Sequence, residues 1–332
     1  MPNPYNQQLT SDIELVRRYG GPVSHAALDP SCNLFSVPGI AGLIGFLPTH
    51  GSAVVLGDPI CAPAHKAALA DAFAAHCNNH NRSIVYAAVT ADMHGYARER
   101  GYGTLEFASL LMANPQCDPE ADRQGRHLRQ HLNHTRRTGV TVREYLGETS
   151  PDAQLEAQAE AACEQWLTTR RGPQMFLGRP RLFEDRPGRR WFIAEQQGRV
   201  VGVLSMLRVS CIDSDSLINI VFSAPTAPPH TNELMVVAAL RALREEGVSA
   251  VCLGVGPKDA LGQIDGCGKV TEFLSRNLYR LTANVLHLHG KTLFWEKYRV
   301  TRREPLYLLF QSPNIRFREI NALLRAFHLS VK

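Results

Sequence analysis

The sequence predicts an α/β protein made of two consecutive units, each a mixed central sheet flanked by helices. Three observations lead there. β-branched runs alternate with stretches of helical periodicity along nearly the whole chain, the pattern of sheets whose strands are joined by helices. The first half reads hairpin, helix, strand, helix, strand, and the second returns the order with one strand added after the hairpin. The 332 residues, 44% hydrophobic and 20% charged, suffice for one large core or two ordinary ones. No short-period self-similarity is present, which excludes solenoids. We place the units at 1–145 and 146–332, with the candidate active site in the second.

In the first unit the apolar runs GLIGFLP and SAVVLGDPI flank Thr49-His50-Gly51, a hairpin signal. His65 to His80 carries Ala, Leu and Phe at helical spacing and precedes the β-branched run SIVYAAVT. ADMHGYARERGYG reads as a short helix closed by glycine, and TLEFASLLM as a strand. Gly57-Asp58-Pro59 reads as a turn with Asp58 capping backbone donors. In the second unit, residues 152–171 form an Ala/Glu/Gln-rich helix before a loop bearing Gly and Pro. WFIAEQQGRVVGVLSMLRV is a hairpin turning at Gln197-Gly198, and SLINIVFS is a strand. After APTAPP, the segment ELMVVAALRALREEG has apolar residues at i, i+3, i+4 and i+7 with a glycine stop. SAVCLGV, TEFLSRNLYRL and LYLLF complete the unit as strand, helix and strand.

Composition narrows the function classes. Thirty-six basic against 31 acidic residues leave a net charge of +5, so any nucleic-acid surface must be local. The 8 cysteines form no Cys-x-x-Cys pair, and the first residues lack a basic region followed by an apolar run. This reads as a reduced, cytoplasmic protein without zinc ribbons. The long uncharged stretch from Pro30 to Gly57 is broken by Pro38, Pro48 and several glycines, so it does not read as a spanning helix. The expected location is cytoplasmic, peripheral at the inner face of a membrane.

The element order, a hairpin feeding a central strand that opens onto a helix, resembles the acetyltransferase (GNAT) fold used twice in tandem. In acyl-CoA members of that fold, a glycine-rich loop at the helix start lets backbone N–H groups approach a pyrophosphate. Here the place reads Pro228-Pro229-His230-Thr231-Asn232-Glu233. Two prolines remove two donors and an acid at the helix start repels an anion, so coenzyme A is not expected; nor is any other cofactor or a metal.

Six pieces in order carry a more specific resemblance: VVLGDPI (54–60), GRHLRQHLNHTRRTG (125–139), FLGRPR (176–181), APTAPPHTNELM (224–235), CLGVGP (252–257), and FWEKY (294–298) with LYLLF (306–310). Together they resemble the soluble domain of the phosphatidylglycerol lysyltransferases and alanyltransferases, which move an amino acid from aminoacyl-tRNA onto a lipid hydroxyl. The resemblance implies a tandem GNAT fold and aminoacyl-tRNA as co-substrate. It also implies a lipid acceptor or membrane surface as partner, with an aminoacyl-tRNA synthetase as a further candidate partner. The chain departs from the family pattern in four places. Asn219 and Phe222 stand where that pattern has Asp and Arg, Trp295 where a Lys is usual, and Glu233 at a family Asp; Lys297 is retained.

Glu233, Lys297 and Asn219 are the candidate catalytic residues. Glu233 binds the amino group or accepts the hydroxyl proton, Lys297 stabilises the oxyanion or a terminal phosphate, and Asn219, polar in an apolar strand, lines the pocket or pairs with backbone. Asn232, Gly254, Phe222 and Trp295 are candidate substrate-binding residues. Residues 123–143 hold six Arg, three His and no acid. On a helix Arg126, Arg129, Asn133 and Arg136/Arg137 form one row while Leu128 and Leu132 turn away, a row able to track a phosphate backbone. His127, His131 and His134 in that row are expected to face phosphate or solvent rather than a metal. Lys291, Lys297, Arg299, Arg302 and Arg303, interleaved with Phe294, Trp295 and Tyr298, would continue the groove or touch lipid. Two other readings stay open: an acyl-CoA-dependent N-acyltransferase, and a catalytically inactive RNA or membrane adaptor.

Overall fold

The first expected hairpin forms between β2 (Gly42–Thr49) and β3 (Ser52–Leu56), with Gly51 at φ +74°. In the second, between β8 (Arg189–Gln196) and β9 (Arg199–Cys211), Gln197 and Gly198 both take positive φ. This is the two-residue turn whose twist matches the flanking strands. The structure is a computed structural model and describes residues 4–49, 51–169, 180–211, 214–285 and 293–327. The remaining elements are α1 (Pro4–Tyr19), β1 (Asn33–Phe35), β4 (Ile60–Cys61), α2 (Lys66–Asn79), β5 (Ser83–Val89), α3 (Ala91–Glu99), β6 (Gly103–Ala113), α4 (Arg126–Arg137), β7 (Val140–Tyr145), α5 (Ala153–Thr169), β10 (Ser214–Ser223), α6 (Thr231–Glu245), β11 (Val251–Pro257), β12 (Ile264–Asp265), α7 (Lys269–Val285), β13 (Val300–Phe310) and α8 (Phe317–Ala326). Most of the FLGRPR segment lies outside the described residues.

The α/β architecture is as expected, with helices flanking one large mixed sheet ordered β1-β2-β3-β5-β13-β6-β11-β10-β9-β8-β7. Each unit carries a parallel pair at its centre, β3 with β5 and β10 with β11. The last strands are exchanged. β6 leaves the first unit to pair with β11, and β13 returns from the second to pair with β5. The two exchanged strands run antiparallel to each other from Val300↔Ala113 to Phe310↔Gly103. The sheet also joins segments across the expected division at 145/146. β7 pairs with β8 from Val140↔Gln196 to Tyr145↔Trp191, and Leu128 and Leu132 of α4 share a core with Met235 and Leu240 of α6.

The turn at Gly57-Asp58-Pro59 is structural, as read. Asp58 accepts Thr90 N–H at 2.9 Å and Thr90 Oγ1 at 2.7 Å, and pairs with Lys66 at 2.9 Å. Helix α1, which the sequence reading does not name, seats Val16 against Leu43 and Ile60. Just after it lies His25, whose Nδ1 is buried without a partner. Burial, followed by the charge of Arg189, pushes its pKa down to about 4. Between that value and the ordinary histidine value of about 6.5 the unfolded chain binds a proton that the folded chain excludes. Stability should therefore fall as pH drops through this window. Urea midpoints measured across it should decline more steeply for the wild type than for His25→Gln; equal slopes would remove His25 as the cause.

Candidate active site

Strands β10 and β11 meet at one register pair, Leu217↔Cys252, whereas β3 and β5 stay paired over their shared length. Both members of the second pair are irregular just past that point. β10 bulges between Ile218 and Ile220, which places Asn219 in the bulge, and β11 bulges between Cys252 and Gly254. Gly254 has φ +99°, a conformation that disfavours any side chain, and a β-carbon there would lie 3.6 Å from the Ile218 carbonyl. Parallel strands that part at their carboxyl ends leave room for a ligand in an α/β sheet. Seven residues separate the end of β10 from the start of α6.

The first turn of α6 carries Glu233, 7% exposed. Its Oε1 accepts a hydrogen bond from Lys297 Nζ at 2.8 Å and from His230 Nδ1 at 3.0 Å. Burial raises the carboxyl's pKa, but the hydrogen bonds from His230 and Lys297 and the lysine charge outweigh it. The net result lies below the usual carboxylate range. His230 takes a left-handed conformation at φ +66° and stacks on His131 of α4, ring centroids 3.9 Å apart and planes 8° from parallel. The loop between β10 and α6 is tied down on both sides. Thr135 Oγ1 donates to the Pro229 carbonyl at 2.8 Å and Thr231 Oγ1 to the Pro228 carbonyl at 2.7 Å. Lys297 lies 5.4 Å above the Phe294 ring, and beside it Tyr298 is buried with its hydroxyl unpartnered. Burial, then the Glu233 charge, drives the Tyr298 pKa far up, so this phenol stays protonated.

The structure thus brings Glu233 and Lys297 together and adds His230 and His131, which the sequence reading did not assign to the site. His131 was expected to face phosphate or solvent; instead its Nδ1 is buried. The signal was present, because His131 lies three residues after Leu128 and one before Leu132, on the inward edge of α4. Asn219 is half-buried and no hydrogen bond links it to Glu233 or Lys297. Asn232 is half-buried in the same first turn, its Oδ1 without a partner. Trp295 packs edge-on against Phe294 at 4.9 Å and joins the core beneath α6.

Three expectations are corrected. Phe222 does not line a pocket. It is 0% exposed and stacks on Trp166 of α5 at 5.1 Å, because its position on β10 faces the α5 core. The basic row of α4 is not uniformly outward. Arg126 and Arg137 are exposed, but Arg129 donates to the carbonyls of Glu120 and Asp122, and Arg136 reaches Glu120 at 3.5 Å and exposed Asn133 at 3.2 Å. The second basic stretch does not carry free charges among the described residues, since they are matched locally. Arg299 pairs with Asp122 at 2.9 Å, Arg302 with Glu304 at 2.7 Å, and Arg303 with Glu296; Lys291 lies outside the described residues.

Two units with their closing strands exchanged, and a charged cluster where the second unit's central strands part, define a tandem acetyltransferase-like protein. The chain belongs to the family described as phosphatidylglycerol lysyltransferase, C-terminal, which matches residues 13–310. The protein is thereby a member of a family of lipid-modifying transferases. It is similar to L-PGS from Bacillus licheniformis, with 17% identity, 98% of this chain and 96% of that chain covered, and a TM-score of 0.77. It is also similar to the C-terminal domain of a putative lysylphosphatidylglycerol synthetase from Agrobacterium fabrum, with 14% identity, 96% and 95% covered, and a TM-score of 0.76. At these identities the likeness shows the fold. No curated protein matches the chain.

Proposed function

We propose that the protein transfers an aminoacyl group from aminoacyl-tRNA to the hydroxyl of a membrane lipid, phosphatidylglycerol or another lipid alcohol. The observation that carries this reading is the double role of α4. Its outer side presents Arg126 and Arg137 to solvent, and its inner side places His131 against the cluster around Glu233. A polyanion held on the outside would have its end delivered next to a buried carboxylate and an ammonium. The aminoacyl ester is already activated, so exchanging it for another ester requires positioning and charge stabilisation rather than a further energy source. An aminoacyl-tRNA synthetase would supply the charged tRNA.

An exposed apolar stripe on α7 supports a lipid acceptor. Val270, Phe273, Leu274, Leu278 and Leu281 face solvent at helical spacing while Tyr279 anchors the opposite side. Among the described residues no helix is long and apolar enough to cross a membrane. Such a stripe suits a helix lying in the interface plane, which would hold the protein at the membrane's inner face.

The test incubates the protein with bulk tRNA charged with labelled amino acids and with lipid extract, and follows label into the organic phase. Transfer abolished by prior RNase treatment supports the reading; consumption of acetyl-CoA in its place would support the acyl-CoA alternative. Replacing Arg126 and Arg137 together by Ala should weaken tRNA binding and reduce the slope of log affinity against log salt by roughly 1 to 2. An unchanged slope in a filter-binding titration would place the tRNA elsewhere.

A further inference from the structure

We infer that His230 is the proton-accepting catalytic residue of the transfer, its Nε2 taking the proton of the acceptor hydroxyl while Glu233 holds Nδ1. The inference rests on the transfer reading above and assigns a role within it. Glu233 is ionised and can only accept, so the contact at 3.0 Å fixes the proton of a neutral His230 on Nδ1 and leaves a lone pair on Nε2. That nitrogen has no hydrogen-bond partner among the described residues, and the side chain is 30% exposed. Glu233 itself is a poor proton acceptor, since its Oε1 already takes two donors and its affinity for a proton is reduced.

The surroundings hold the ring in one orientation. The backbone of His230 adopts φ +66°, where a β-carbon is disfavoured, and the hydrogen bonds on the Pro228 and Pro229 carbonyls keep the loop in that conformation. His131 covers one face of the ring and acts as a positioning residue. Burial, then the charges of His230 and Lys297, lower the pKa of His131, so this neighbour favours its own neutral form. Charged and titratable groups around His230 include His131 from α4, Glu233 from α6, and Lys297 from the segment before β13.

In the step itself the acceptor oxygen forms a bond to the aminoacyl carbonyl carbon as its proton moves to Nε2. The tetrahedral intermediate then collapses with cleavage of the bond from that carbon to the tRNA ribose oxygen, which receives the proton from Nε2. Lys297, which donates to the same Oε1, keeps the carboxylate charged throughout.

The test uses His230→Gly, because glycine adopts the left-handed backbone at no steric cost and leaves space for free imidazole. Single-turnover transfer should fall by about 10²-fold or more with tRNA affinity unchanged, and added imidazole should restore part of the rate. Long-range proton–nitrogen NMR spectra should show His230 protonated on Nδ1 in the wild type and a mixture of tautomers in Glu233→Gln. A wild type that moves label while His230→Gly matches it would overturn this assignment alone, as would an Nε2-protonated ring in the wild type. A wild type that moves no label from any charged tRNA would overturn the transfer reading and this role together.

Discussion

Replacing Glu233 by Gln is expected to lower aminoacyl transfer by about 10²- to 10³-fold, the range that a single positioned polar or proton-transfer group contributes. The substitution keeps the side chain's size and removes the charge that Lys297 and His230 share on Oε1. Lys297 can turn into water, since its side chain is 34% exposed. The fold should therefore survive and the loss should appear in turnover rather than in tRNA affinity. A catalytically inactive adaptor has no turnover to lose and would keep its tRNA affinity, so wild-type transfer and its loss in the variant, measured beside tRNA binding, separate the two readings. The same ion pair predicts an acid dependence. The carboxyl has a folded pKa below its unfolded value near 4.3, so its stabilising contribution is present above that value and is lost as pH falls through the lower, folded pKa.

Phe222→Ala is expected to destabilise the protein by about 3 to 5 kcal/mol, the usual cost of emptying a fully buried aromatic site. Phe222 has no exposed surface and packs on Trp166 in a core that also holds Trp191, Ile193 and Val203. A close-packed core leaves little room for collapse, which favours the upper part of that range. Equilibrium denaturation provides the measurement. A loss below about 1 kcal/mol, accompanied by impaired transfer, would return Phe222 to the substrate site from which its burial removes it.

The local elements were legible because each is set by nearby residues. The Gln197-Gly198 turn, the glycine after α6 at φ +75°, and the apolar spacing of α2 with Leu69, Phe73 and Cys77 inside all follow from steric preference and periodicity over a few residues. Pairing choices over long separations were not legible. TLEFASLLM and LYLLF read correctly as strands, yet nothing in either run says that one crosses to β11 and the other to β5. Their apolar patterns fit a place in either unit, and only the assembled sheet ranks the alternatives. The site divides in the same way. Glu233 and Lys297 were identified through the family resemblance, whereas the stack of His131 on His230 requires α4 to cross the start of α6, a contact between residues about a hundred positions apart.

By itself, then, the sequence determined the type of most elements, the α/β class, and the residues at the start of α6 that carry charge. The tertiary structure decided which strands were exchanged, which arginines remain exposed on α4, which cations of the 291–303 stretch are paired, and that Phe222 is core. These outcomes depend on which distant groups compete for the same hydrogen bonds, charges and apolar surface, and that competition exists only once the chain has folded.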